Sequence, residues 1–440
     1  MKKAFYKIKI LVTGFCLIFI ASCEKDLLDK TLLDAISNEA VWADPDLVNA
    51  FVNARYNQIG HGWYSESWVS SMCDETCLTW SRNCEPIIQG YVSPSTPHSM
   101  NGGRWGESER RWDIVWMNIA NCNIFFDNVD KCTFPDPALK ARLIGEVTFI
   151  RALMYWDLIN RQGGPSSAGT SICSYKCDQV NGPNGFGQWG GNTPIAEFVN
   201  EFEMNDGTPF DWNNPAHRAN PFQNRDKRMY AYVLCNGDPW LGDRNVEGYK
   251  YIVSISGTDT TWNGGKDTQY GGDSWNTSQT GYNMRKFLDP TYGINSWNFK
   301  ARNWIWFRLA EMYLNLAEAK YNLADEPGAQ AALNVIRTRA RMPNVTATGT
   351  ALRDAIYKER RIELAFEEHR YFDVRRWKIA DVILNKDATG IIIIRNADLT
   401  FTYRTKLVEI RTFAAPKMYW LPIQLDEITK NPNLEQNPGY

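Results

Sequence analysis

The sequence predicts a mainly α-helical protein, a stack of helix pairs that carries a long loop-rich segment and a few short strands. Three observations predict it. Apolar residues recur at helical spacing before residue 164 and again after residue 301. The stretch 165–300 between them is rich in Gly, Asn, Ser and Pro. Near the end, Ile391 to Phe413 alternates with a period of two, as a two-stranded ribbon does. At 440 residues, 44% hydrophobic and 22% charged, the chain can bury a sizeable core and lies far from disordered compositions. Its 48 basic residues against 50 acidic ones leave no excess to neutralise a phosphate backbone, so nucleic acid is excluded as a partner. The aromatic content is unusual: 18 Trp, 20 Tyr and 20 Phe. Flat rings in such number point to a flat ligand.

The chain opens with Lys2, Lys3, Lys7 and Lys9, an apolar run from Ile10 to Ile20, and the small residues Ala21 and Ser22 before Cys23. This is the layout of a signal peptide, and the run falls short of the ~20 residues of a membrane-spanning helix. Ile20-Ala21-Ser22-Cys23 resembles the lipobox of bacterial lipoproteins, in which the Cys becomes the lipidated mature N-terminus. The competing reading is an ordinary cleavage site beside an incidental Cys. Loss of residues 1–22 removes four Lys and no acid and takes the net charge from −2 to −6, a balance that suits neutral ligands. Residues 23–37 then form a short leash.

Helices begin at Ser37 or Asn38, with Val41, Val48, Phe51, Val52 and Tyr56 on one face. Trp112 to Val129 repeats the pattern through Val115, Ile119, Ile124 and Phe125. Leu139 to Ile159 follows through Leu143, Val147, Ile150, Met154 and Leu158 and ends at Gly163-Gly164-Pro165. Residues 60–110 and 161–300 read as long loops, which inside a compact domain are uncommon unless functional. They hold ten Trp: 63, 68, 80, 105, 189, 212, 240, 262, 275 and 297. Asn303 to Leu323 is helical again, with Ile305, Leu309, Met312, Tyr313, Leu316 and Ala317 in register. Pro327 starts a second helix through Leu333 and Ile336, giving an αα-hairpin whose Leu309, Tyr313 and Ala317 partly match the tetratricopeptide pattern. Leu352 to Phe366 is a further, highly charged helix, and the ribbon passes through Leu399, Phe401 and Tyr403.

Several motifs together resemble one family. The lipobox followed by Glu24-Lys25-Asp26-Leu27-Leu28-Asp29, the helix Arg308 to Ala319, and the run from Glu359 to Trp377 are similar to SusD/RagB proteins. So are Leu421-Pro422-Ile423, Asn431-Pro432-Asn433-Leu434 and the C-terminal Gln436 to Tyr440. The resemblance covers residues 20–60, about 110–164 and most of 194–440. It implies a SusD-like fold and a surface lipoprotein of the outer membrane of Bacteroidetes, lipidated at Cys23. Such a protein binds nutrient glycans and acts as a lid on a TonB-dependent, SusC-like transporter, without catalysis or cofactor. The implied organisation is 1–22 signal, 23–37 lipidated Cys and leash, 38–164 N-terminal helical region, 165–300 loop-rich ligand side and 301–440 C-terminal helical region. One departure is large: only about 25 residues separate Gly164 from Gly191, where the family usually runs on for a hundred or so. A helical stack with such a gap exposes apolar faces.

The family places its ligand on the loop-rich face, from segments that correspond here to 63–105 and 262–297. An indole that stacks on a sugar face buries about 60–80 Å², some 1.5–2 kcal/mol at ~25 cal per Å². The expected ligand rings are Trp80, Trp105, Tyr270 and Trp275, with Arg82, Asn83, Asn101 and Arg104 as hydrogen-bonding groups. For each ring the competing reading is core beneath its own loop. Trp42, Trp112, Trp116, Trp156, Trp304, Trp306, Trp377 and Trp420 lie in regular elements and are expected to pack in the core.

Other chemistry finds little support. The charged run from Arg353 to Arg376 reads as ion pairing along a helix rather than an anion site. A lipid-tethered glycoside hydrolase, the alternative function, needs two carboxyl groups across the scissile bond. The only adjacent acids near loop Trp are Asp74 and Glu75, which read as a solvated turn. His61, His98, His217 and His369 share no ligand spacing, and no phosphate loop or nucleophile elbow is present. Asp206, Asp211 and Asn213 leave calcium open without a defensible loop motif. Eight Cys remain after processing: 73, 77, 84, 122, 132, 173, 177 and 235. They are compatible with disulfides, buried thiols, or a zinc site built from the 73/77 and 173/177 pairs.

Overall fold

A computed structural model of the chain describes residues 38–56, 59, 69–80, 84–96, 111–162, 177–242, 244–271, 274–291 and 307–440. The chain forms two compact units, one of residues up to 54 with 122–148, the other of 55–121 with 149–440.

In the first unit the expected opening helix is two helices, Asn38–Val41 and Pro45–Tyr56. The break falls at Asp44-Pro45, because proline disfavours helical backbone in the residue before it. The Asp44 carboxylate accepts from the Asp46 N–H at 2.8 Å and restarts the helix. Val48, Val52, Phe125, Leu143 and Val147 are fully buried. Trp42 packs on Phe51 and Phe125 with centroids 5.1 and 6.4 Å away. Ile124, expected on the inner face, is 41% exposed, because Phe125 takes the core position.

The helix Pro137–Gln162 buries Leu143, Val147, Ile150, Met154 and Leu158 as its spacing requires. In the second unit, Leu309–Asn322 and Glu326–Ala340 form the expected hairpin, followed by Gly349–Glu363. The Asp325 carboxylate caps the second helix through the Gly328 N–H at 2.9 Å. The buried face of the first is Ala310, Leu314 and Ala317, packed with Leu333, Ile336, Leu352 and Ile356. Leu309, Met312 and Leu316, expected to pack inward, are exposed, as are Phe149, Trp156 and Phe307.

The segment expected to be loop is short elements around a core. Phe186, Phe198, Phe202, Met229, Val233, Trp240, Tyr282 and Met284 bury against Phe366, Ile391 and Ile393. Side chains substitute for regular hydrogen bonding here. Buried Arg225 donates to the carbonyls of Val199, Phe202 and Pro221 at 2.7–3.1 Å, and Phe210 lies 3.9 Å from its guanidinium. The C-terminal ribbon is present as Ala388–Arg395 and Phe401–Glu409, antiparallel. It belongs to a four-stranded sheet, joined in parallel through Lys250–Ser256, which pairs with Asp259–Gly264.

The charged run does not pair mainly along its own helix. Glu359 and Glu363 hold Arg228; Arg337 joins Glu359, and Arg308 and Arg339 join Glu363. Arg360 takes Asp373, while Arg361 takes Asp74 and Glu201. Most of these charges, Arg228, Arg337, Glu359, Arg360, Arg361 and Glu363 among them, are buried, and they tie the helix Gly349–Glu363 to segments up to 287 residues away along the chain.

Candidate functional site

Three remote segments converge around two indoles. Strand Thr76–Leu78 pairs antiparallel with Asn192–Pro194, Leu78 opposite Asn192, and the Thr79 N–H donates to the Gly191 carbonyl at 2.8 Å. This sets Trp80, just after one strand, beside Trp189, just before the other. The rings meet edge to face with centroids 6.1 Å apart. Gly191 is required for the approach: a Cβ there would lie 2.8 Å from the Val180 carbonyl oxygen and 3.2 Å from Trp80 Cη2. Gly190, at φ +51°, packs on the backbone of 276–278, where a Cβ would come within 3.1 Å of the Asn276 oxygen.

The third segment is the turn Ser274–Asn276. Buried Asn276 accepts the Trp80 indole N–H at 3.1 Å, and the Thr277 hydroxyl closes the turn onto the Ser274 carbonyl at 3.0 Å. Trp275, on the same turn, is 62% exposed. The turn is thus held from below by Trp80 while it presents an indole to solvent. Trp80 and Trp189 are half-buried. Replacing Trp80 by Ala is therefore expected to lower the melting temperature, and replacing Trp275 to leave it unchanged.

Tyr270 belongs to a neighbouring group. The Lys250 ammonium lies 4.5 Å from the ring centroids of both Tyr270 and Trp262. Tyr270 lines a shallow, partly open cleft with Thr268, Gln269, Gln279 and Lys406. Of the expected ligand residues, then, Trp80 and Trp275 come together through Asn276, while Tyr270 lies beside Trp262. Trp105, Arg82, Asn83, Asn101, Arg104 and the lipidation residue Cys23 lie outside the described residues. Sequence reasoning passed over Trp189, Trp262, Asn276 and Lys250. Trp189 and Trp262 stood among the loop Trp, but nothing local to Asn276 or Lys250 marks them.

The remaining rings divide. Trp240 is sealed in the core and donates to Gln188 at 3.4 Å, and Trp212 packs on Phe210 and Tyr403. Trp42 is buried, Trp116 sits edge-on to Tyr155, and Trp377 stacks on Tyr357 with centroids 3.6 Å apart. Trp156 and Trp420, expected in the core, are 55% and 39% exposed. Their helical or turn position faces them outward, with Trp156 tilted against Phe372 at 6.4 Å between centroids. The side chains of Trp112, Trp304 and Trp306 are outside the described set.

Asp74 and Glu75 are not a solvated turn. Both are buried; Asp74 holds Arg370 at 2.8 and 2.9 Å and Arg361 at 2.9 Å, and Glu75 accepts the Phe366 N–H at 3.3 Å. Two arginines hold the Asp74 carboxyl far below the usual range against its burial. Burial and the Asp74 charge push Glu75 up to about 8. With Asp74 committed to structural ion pairs, this couple does not offer a glycosidase its acid and base. The Asp206 carboxylate caps Thr208, and the Asp211 carboxylate caps Asn213. Among the described residues no cluster of His, Cys, Asp and Glu fits a metal ion. Cys73, Cys77, Cys132 and Cys235 are free, buried thiols, and burial raises the pKa of each. They are expected to stay unmodified by iodoacetamide in the native protein and to react on unfolding, as read by intact mass.

Helix pairs that carry long, internally pinned loops with outward-facing rings define a loop-bearing, tetratricopeptide-like scaffold. The chain belongs to the SusD family, whose sequence profile matches residues 154–440. A SusD-like protein of Formosa agariphila, P25, is 34% identical over 149 residues, 31% of this chain and 25% of that protein. The match thus spans about a quarter of that relative's length. Among solved structures, a SusD-like protein from Bacteroides fragilis aligns with a TM-score of 0.74 and 24% identity over 93% of this chain and 100% of that one. Surface glycan-binding protein A from Bacteroides fluxus aligns at 0.56 and 15% over 90% and 100%. These likenesses establish the SusD-like fold. No helix among the described residues is long and apolar enough to cross a membrane.

Proposed function

We propose that this protein captures glycans at the cell surface without cleaving them. Moored to the outer membrane through Cys23, it acts as the lid of a TonB-dependent, SusC-like transporter. The observation that carries the reading is Trp275, an indole held out to solvent on a turn locked from behind by the Trp80–Asn276 hydrogen bond. An apolar sugar face laid on such a ring gains about 1.5–2 kcal/mol, and neighbouring amides and hydroxyls fix the orientation. Membership of the SusD family, and a solved relative described as a surface glycan-binding protein, support it. A glycan array combined with a reducing-sugar assay tests it: binding without product release is expected. Release of reducing sugar by the folded protein would instead overturn the reading.

A further inference from the structure

Three basic side chains share one face of the four-stranded sheet. Lys250 pairs with Ile394 in the parallel ladder; in the antiparallel ladder Ile394 pairs with Thr402, Ile392 with Arg404 and Gly390 with Lys406. Paired residues, and residues two apart on a strand, point to the same side. Lys250, Arg404 and Lys406 therefore project together, the last two about 7 Å apart along their strand. Trp262, paired with Ile252, joins them. The opposite face sends Ile393 and Tyr403 to the core.

Lys286, Lys320, Lys358 and Lys430 each hold a carboxylate. Among the described residues no carboxylate lies within ion-pair distance of Lys250, Arg404 or Lys406. Acids nearby in the chain have other partners: Glu247 accepts the Lys266 N–H at 3.2 Å, Asp267 accepts the N–H groups of Gly185 and Glu247 at 2.7 and 2.8 Å, and Glu409 holds Arg411. Lys406 donates only to neutral oxygens, Gln269 Oε1 at 2.8 Å and the Gln279 carbonyl at 3.3 Å. Burial lowers its pKa below the usual lysine value against the opposing effects of Tyr270 and Cys77, and Lys250 adds to the lowering. Lys406 lines the cleft together with Tyr270, Thr268, Gln279 and Asp267, and Lys250 lies over the Tyr270 ring at its edge. Clustered cations without a partner favour whatever anion enters.

We propose that this face binds the anionic substituents of an acidic glycan, uronate carboxylates or sulfate esters, on Lys250, Arg404 and Lys406, with Trp262 and Tyr270 against the sugar rings. The inference rests on the glycan-binding reading and reverses the preference for neutral ligands that net charge alone implies.

Titration calorimetry with three oligosaccharides of equal length tests it: an oligogalacturonide, a sulfated dextran fragment and a neutral maltooligosaccharide. At least one acidic probe is expected to bind about tenfold or more tighter than the neutral one, and 0.5 M NaCl to erase the difference. Which acidic probe wins distinguishes carboxylate from sulfate. Lys250→Gln with Lys406→Gln should remove the preference, read as the ratio of acidic to neutral affinity. Exposed Arg404→Gln, which touches no core, should reduce the preference severalfold should the lysine pair compromise folding. Equal or tighter binding of the neutral probe, or a preference that survives these substitutions in folded protein, overturns the proposal. A chain that binds neutral glycans on an array but neither acidic probe overturns it alone. A chain that binds no glycan overturns the reading beneath it as well.

Discussion

Replacing Asp74 by alanine is expected to destabilise the second unit by about 3–5 kcal/mol, the usual cost of removing one partner from a buried ion pair. Asp74 is the carboxylate that Arg370 holds with two hydrogen bonds, and it also pairs with Arg361, all three side chains being buried. Arg361 keeps Glu201 as a second partner, whereas Arg370 keeps no carboxylate among the described residues. The loss should reach the ligand side. Asp74 lies two residues before the strand Thr76–Leu78 that seats Trp80, so the platform should loosen and glycan affinity fall with stability. Urea unfolding of the variant measures the first effect, and titration the second.

The second large effect concerns Glu75 and depends on pH. Its folded pKa, about 8, stands above the ordinary 4.5 of the unfolded chain because burial and neighbouring Asp74 disfavour its charge. The folded protein therefore keeps a proton that the unfolded chain gives up. The stability this group contributes is fully present below about 4.5 and is lost as pH rises to about 8, at up to about 1.4 kcal/mol per unit. Glutamine mimics the protonated carboxyl and can still accept the Phe366 N–H. Glu75→Gln is thus expected to be close to neutral at pH 5 and stabilising by several kcal/mol at pH 8, as read from urea midpoints at the two pH values. An equal effect at both would contradict it. Asp74 leaves this window clear, since a depressed carboxyl loses its contribution only as pH falls below its unfolded value.

Local pattern and tertiary partner were legible to different degrees. The helix Pro137–Gln162 could be read residue by residue, because a single core-facing stripe at helical spacing leaves one way to bury it. On Leu309–Asn322 the helix was legible but its inner face was not. Apolar residues occur on more than one side, and only the neighbours Leu333, Ile336 and Leu352 select Ala310, Leu314 and Ala317. The Arg and Glu run was read as pairing along its helix, since spacing records i to i+4 neighbours and nothing about Asp74 or Arg228. The ligand rings were half legible. Trp80 and Trp275 stood out as loop indoles, but the lock between them spans 196 residues. Trp240, equally loop-like in sequence, is core because Gln188 and the surrounding rings enclose it.

The central claim is that an outward indole, held by Asn276 and Trp80, captures the sugar. Titrating the glycan selected by an array into wild type and into Trp275→Ala tests it most directly. The account predicts an affinity loss of about tenfold, 1–2 kcal/mol, with an unchanged melting temperature. An unchanged affinity in the folded variant would contradict it.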